Sequence, residues 1–236
     1  MRPDLVRLAA VLAFLWTAAA VPARGAAEAD CPLVPVPKSY HDHGRAWELS
    51  EPQQAAIALG AEASETERYA AERLQAHVER RFKQRIPIVV ESAVAESVRQ
   101  VFLLGQRSSN PWVDKLCREQ KIGLGDAEPV ADGFLIECVE DGGRQVVLVA
   151  GGNPRGVVYG ADAVFDLMRA EAGRTVWPVV SVRDWPSIPW RGRPHSVLRQ
   201  HLVPGALDAY IRARLNFTDV RDNPHAKASN VYPARK

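Results

Sequence analysis

Apolar and polar residues follow two different periods along the chain, and the changes of period mark out its elements. From Glu65 to Lys83 the apolar positions Ala71, Leu74, Val78 and Phe82 recur at helical spacing. Ser64 and Glu67 stand at its start in a capping-box pattern, so a helix is predicted over this stretch. The β-branched or apolar runs Ile86 to Val90 and Val101 to Leu104 are short and bounded by polar residues or glycine, which predicts strands. Asn110-Pro111 then opens a short helix to Glu119, with the asparagine as cap and the proline in the first turn.

Phe134 to Val139 and Gln145 to Ala150 are separated by Asp141-Gly142-Gly143, a turn whose glycines accept positive φ, so these runs predict a hairpin. Its second strand is apolar on both faces at Val146 to Val149, which places it centrally in a sheet. Asn153-Pro154 starts another helix, with one apolar stripe through Val157, Ala161, Val164, Phe165 and Met168. Gly156 and Gly160 leave a smooth patch on it for close approach. Ala46 to Leu49, Ala55 to Leu59 and Thr175 to Val182 complete the strands. Strands interrupted by two long helices predict an α+β layer: a mostly antiparallel sheet with the two helices on one face.

Asp184-Trp-Pro-Ser-Ile-Pro189 breaks this pattern, because its two prolines prevent helix and interrupt a ladder. Beyond it, Arg191 to Ser196 reads as a strand, Gly205 to Arg214 as a helix and Phe217 to Val220 as a strand. Strand, helix, strand is one βαβ unit, which cannot bury both faces of its strands alone.

The first residues lie outside this organisation. Arg2 and Arg7 precede an apolar run from Leu8 to Val21, and small residues at Ala23-Arg-Gly25 and Gly25-Ala-Ala27 follow. A basic start, a short apolar run and a small-residue site are the parts of a secretory signal peptide, expected over residues 1–27. The mature chain is then expected to be secreted or periplasmic and to have no membrane contact.

Composition adds exclusions. With 47% apolar and 25% charged residues and a net charge of +2, the 236-residue chain has no basic field to draw nucleic acid. Export permits disulfides, but Cys31, Cys117 and Cys138 are odd in number, and their spacing implies no zinc site. Cys138 alternates with Phe134 and Ile136 and so reads as a small buried hydrophobe. His195, His201 and His225 show no ligand spacing, and His41-Asp42-His43 reads as a solvated loop. Gly151-Gly-Asn-Pro-Arg-Gly156 lacks the Gly-Lys-Ser/Thr ending of a phosphate loop and is explained as a helix start. No cofactor or metal is expected.

Three stretches carry a family signal: Asp132-Gly-Phe-Leu-Ile-Glu137, Gly151-Gly-Asn-Pro-Arg-Gly-Val-Val-Tyr-Gly160 and Val182-Arg-Asp-Trp-Pro-Ser-Ile-Pro-Trp-Arg-Gly192. In this order and spacing the chain resembles the N-terminal half of family 20 glycoside hydrolases, the β-N-acetylhexosaminidases, and more loosely other glycosidases sharing that accessory domain. The resemblance implies an accessory domain over residues 31–186 and the truncated start of a (β/α)8 barrel over 187–236, an incomplete first βα unit. It implies that Arg191 contacts sugar hydroxyls, for which the guanidinium fork is suited. The other reading of Arg191 is a pairing with a carboxylate across the joint, such as Asp184.

After Gly192 the chain departs from the family pattern. Ser196 and Gln200 stand where the family has Asp and His, and Asp219-Val-Arg-Asp222 replaces its His-rich motif. The family's catalytic Asp-Glu pair, which serves substrate-assisted hydrolysis, does not occur between Ser187 and Lys236. A whole barrel takes about 250 residues, and about one of its eight units is present. The expected function is therefore a non-catalytic portion of an exported glycoside hydrolase whose full-length form takes a carbohydrate substrate. The alternatives are a stand-alone carbohydrate-binding or scaffolding module, or part of an α-glucuronidase-like glycosidase.

Overall fold

The computed structural model of the chain describes residues 31–49, 51–123, 131–196 and 208–220. In chain order these form β1 (Ser39–Glu48), β2 (Ala55–Leu59), α1 (Glu65–Phe82), β3 (Ile88–Val90), β4 (Gln100–Gly105), α2 (Pro111–Glu119) and β5 (Phe134–Asp141). There follow β6 (Arg144–Gly151), α3 (Pro154–Leu167), β7 (Arg169–Glu171), β8 (Arg174–Asp184), β9 (Gly192–Ser196), α4 (Asp208–Arg212) and β10 (Phe217–Val220).

The first eight strands make one sheet in the order β1-β8-β5-β6-β4-β2-β3, with β7 paired to β8. The β1/β8, β5/β8, β5/β6 and β7/β8 pairs are antiparallel, as the hairpin pattern predicts. The β2/β3, β2/β4 and β4/β6 pairs are parallel. This half arises because α1 is a crossover: it returns the chain along one face, so β3 can only join β2 in the same direction. The sheet is thus mixed, with β2 and β4 of its parallel half buried on both sides.

Side chains of alternate residues supply two cores. Ala55, Ile57, Leu59, Phe134, Ile136, Val147 and Val149 face α1 and α3. Ala56, Ala58, Leu135, Val146, Leu148 and Ala150 face the other way, onto Val113, Leu116 and Cys117 of α2. The two long helices do share a face, as their stripes require, and α2 covers the opposite one.

The smooth patch on α3 is used. A Cβ added at Gly156 would stand 2.1 Å from the Gly133 carbonyl, and one at Gly160 2.6 Å from Val149. Only glycine permits the start of α3 to lie this close to the start of β5. Cys138 packs beside Phe134 and Ile136 and receives a hydrogen bond from Trp177 Nε1 at 3.1 Å. All three cysteines are unpaired thiols.

One local expectation is corrected. His41-Asp42-His43 is solvated but is not a loop; it belongs to β1, an edge strand that bulges between Asp42 and Ala46 around Gly44 (φ +66°). The polar run of residues 39–45 hid it, because an edge strand exposed along its length needs no apolar face.

β9 and β10 lie outside the large sheet and pair with each other in parallel, Phe217 opposite Gly192, with α4 between them in sequence. The strand-helix-strand order predicted from the sequence is therefore present. Residues 1–27, His201 and His225 lie outside the described residues.

Candidate functional site

Arg191 leads to the site, which is built where the strand after the proline segment meets the starts of α3 and β5. Asp132 occupies the turn before β5 with φ +65°, a left-handed conformation that Asp tolerates better than most residues. It is 5% exposed. Asn153 caps α3, its Oδ1 accepting from the Gly156 amide at 2.9 Å. Its Nδ2 donates to Asp132 Oδ1 at 2.9 Å, and Arg155 Nε donates to the same oxygen at 2.8 Å. Burial alone would hinder ionisation of Asp132. The hydrogen bonds from Asn153, Asn216 and Arg155, with the Arg155 charge, outweigh it and hold the carboxyl below the usual range.

Arg191 enters this cluster surrounded by acceptors. Nε donates to the Arg214 carbonyl at 2.8 Å, and Nη1 to those of Ile188 (2.9 Å) and Pro189 (3.3 Å). Nη2 meets Asp132 Oδ2 at 3.3 Å. The carboxylate across the joint is thus Asp132 rather than Asp184. Asp184 instead pairs with Arg214, whose Nη2 donates to the Pro35 carbonyl at 3.2 Å. The Arg214 guanidinium also lies over the Phe134 ring, 5.1 Å from its centre. Tyr159 of α3 donates from its hydroxyl to the Leu215 carbonyl at 3.0 Å.

A cleft of about 190 Å³ opens here, lined by Lys38, Asp184, Trp185, Ser187, Arg191 and Arg214 among others. Both Asp132 and Asp184 border it. They do not form an acid and base pair: each is engaged by arginine, and a general acid needs a raised pKa where that of Asp132 is lowered. The arrangement can hold the sheet layer and the β9/β10 unit together. Among the described residues no cluster of three or more His, Cys, Asp or Glu could hold a metal ion.

A second contact anchors α4. Arg73 of α1, 6% exposed, donates to both oxygens of Asp162 on α3, Nε at 2.7 Å and Nη2 at 3.1 Å. Its Nη1 reaches Asp208 in the first turn of α4. Arg212 lies 3.8 Å from Asp166, and Ile211 packs on the α1–α3 core.

The three stretches that carry the family signal therefore converge on one place. Asp132 comes from the first, Asn153, Arg155 and Tyr159 from the second, and Arg191 from the third. Of the residues that complete the two contacts, Asn216 carries only the Asn-Phe-Thr pattern of a glycosylation acceptor at a strand entry, and Asp208 is simply a polar residue of the predicted helix. His195 falls in β9.

A match to a known family gives the class: an N-terminal domain of a glycoside hydrolase. Residues 42–165, more than half of the chain, match the glycosyl hydrolase family 67 N-terminus, and the chain belongs to that family. A comparison with curated proteins gave no match. Among solved structures, the chitobiase of Flavobacterium johnsoniae is similar over 80% of this chain and 26% of that one, at 14% identity and a TM-score of 0.54. The N-acetyl-β-hexosaminidase of Streptomyces plicatus matches over 80% and 34%, at 13% identity and 0.53. CpGH84B matches over 87% and 33%, at 15% identity and 0.59. At such identities the likeness is one of fold. The chain spans about a quarter to a third of the length of these structures.

Proposed function

We propose that this chain is the exported, non-catalytic N-terminal portion of a glycoside hydrolase, joined to the first βα unit of a catalytic barrel. The observation that carries the reading is the parallel β9/β10 pair, with α4 between its strands, pinned against the sheet layer. A two-stranded parallel sheet does not stand alone, and a strand, helix, parallel strand order is the repeating unit of such a barrel. The 87% coverage by CpGH84B supports it, because residues 31–186 make up only about two-thirds of the chain.

Family 67 membership favours the α-glucuronidase-like alternative over a β-N-acetylhexosaminidase of family 20. Arg191, for which the resemblance implies a sugar contact, would offer a hydroxyl its Nη2 edge, the edge that also meets Asp132.

Two outcomes test this reading. The purified chain is expected to show no turnover of chromogenic N-acetylglucosaminides or glucuronides, since general acid catalysis alone contributes about 10²–10⁴-fold to such reactions; sustained turnover would refute the non-catalytic assignment. Expressed with its first residues intact, the chain is expected outside the cytoplasm with a new N-terminus near Ala26 to Glu28. An exported protein whose mass retains Met1 would count against the signal peptide.

A further inference from the structure

The carboxylate of Asp132 is divided between two bodies. Oδ1 serves the sheet layer, accepting from Asn153 Nδ2 (2.9 Å) and Arg155 Nε (2.8 Å) at the start of α3. Oδ2 serves the following unit, accepting from Arg191 Nη2 (3.3 Å) and Asn216 Nδ2 (2.7 Å). Arg191 and Asn216 are the residues immediately before β9 and β10, and they read each other as well. The Asn216 amide donates to the Arg191 carbonyl at 2.7 Å, and Asn216 Oδ1 accepts from the Arg191 amide at 2.9 Å. The second hydrogen of Asn216 Nδ2 goes to the Pro189 carbonyl at 2.6 Å. Every donor and acceptor of the Asn216 side-chain amide that faces the joint is committed, including the nitrogen that its Asn-Phe-Thr sequence would offer to a glycan.

The pair that opens the ladder, Phe217 opposite Gly192, is the next residue along on each strand. A slip of one residue would move Asn216 away from both Arg191 and Asp132, and would turn the side chains of one strand to its other face. Register in a two-stranded parallel pair is weakly specified by the strands themselves, so an external reference has a large effect on it.

We propose that Asp132 is the positioning residue that sets the register of β9 against β10, acting through the Arg191–Asn216 couple. Resting on the reading of β9 and β10 as the first strands of a barrel, this gives the family's signature stretches a mechanical role, in which the N-terminal domain fixes where the barrel begins. A carboxylate is required because Oδ2 must accept from two donors at once, whereas an asparagine amide there would set donor against donor.

The proposal is tested by amide hydrogen exchange on the whole chain, comparing residues 192–196 and 217–220 with residues 146–150 of the central strand. Asp132→Asn keeps an acceptor for Asn153 and Arg155 and tolerates the left-handed backbone. It is expected to lower protection in β9 and β10 by about tenfold or more, as loss of a hydrogen bond to a charged group implies, while β6 keeps its protection. Asn216→Ala, which leaves the start of α3 untouched, is expected to do the same and carries the test if Asp132→Asn does not fold. The double variant is expected to lose no more than the worse single one, because both act on one linkage. Equal loss in β6, unchanged β9 and β10, or single effects that multiply in the double variant would overturn the proposal. Turnover of a glycoside by the chain would instead refute the non-catalytic reading and leave the clamp standing.

Discussion

Replacing Arg73 by alanine is expected to destabilise the protein by about 3–5 kcal/mol, the range for breaking a buried ion pair from one side. Asp162 would keep its charge at 6% exposure with both of its arginine hydrogen bonds gone. Asp208 would lose its partner as well, releasing α4. The neighbouring His77 gives the effect a pH signature. Burial first, and the Arg73 charge second, push its ring below the usual histidine range, while Asp162, with its Oδ1 3.9 Å from Nδ1, pulls the other way. In the natural protein the unfolded chain therefore binds a proton more readily, and stability falls as pH drops from about 6.5 through the folded value. In Arg73→Ala the repulsion is gone and the unpaired Asp162 favours a protonated ring, while burial still opposes it, so the slope flattens. Urea denaturation should show the cost of the substitution shrinking between about pH 8 and pH 5.5. A cost below about 1 kcal/mol at every pH would mean that the pair is no better than a surface one.

How much of the molecule is legible in its sequence depends on whether the signal is local. The bounds of α2 and β10 coincide with the predicted ones, α1 ends one residue before Lys83 and α3 two residues before the expected 169, because caps, prolines and apolar stripes act within a few residues. The parallel half of the sheet was not legible. The choice of β4 as the neighbour of both β2 and β6 is made by long-range packing, and the strands themselves carry the same apolar pattern in either direction. β7 was missed for the opposite reason: three exposed residues, Arg169 to Glu171, have no apolar face to read.

The site divides in the same way. Arg191 could be singled out because the resemblance implies a role for it; Asp132 opens another of the family stretches, yet nothing in the sequence marks it as the partner of Arg191, since an acid before a glycine looks like any turn residue. A further signal lies in α1. Glu67 and His77 continue the stripe of Ala70, Ala71, Leu74 and Val78 at helical spacing, and every one of these residues is buried. A polar residue on an apolar stripe has to be hydrogen-bonded or paired, so its position in the sequence alone is enough to mark it.

Glu67 shows how strongly such a residue can act. Its side chain is fully buried where β2 and β4 end, at the place where the chain leaves neighbouring parallel strands for helices on opposite faces. In open sheets with this connectivity that crevice is a common ligand site; here the protein fills it with its own carboxylate. Oε2 accepts from the Ser64 amide (2.7 Å) and hydroxyl (2.8 Å), completing the capping box. Oε1 accepts from the Gln106 amide (3.1 Å) and from the Ser109 hydroxyl. Close approach there is enforced by Gly60, where a Cβ would meet the Ser109 carbonyl at 1.8 Å.

Glu67→Ala would strand these donors in a dry crevice, at about 1–3 kcal/mol for each unsatisfied group. With four such donors a total loss of about 4 kcal/mol or more is expected on that basis, larger than an N-cap deletion at about 1 kcal/mol. Glu67→Gln should recover part of it, since one amide oxygen can still accept while the amide nitrogen faces donors. The pH dependence has a definite sign. Burial opposes ionisation of Glu67, but hydrogen bonds from Ser109, Ser64 and Gln106 outweigh it and lower its pKa. The stabilisation is then complete above the ordinary glutamate value of about 4.3 and is lost as pH falls through the lower folded value. Acid titration of unfolding should therefore be shallower in Glu67→Gln than in the natural chain. Equal slopes, or an alanine variant within about 1 kcal/mol of the natural protein, would show that water satisfies the crevice and that the carboxylate is dispensable.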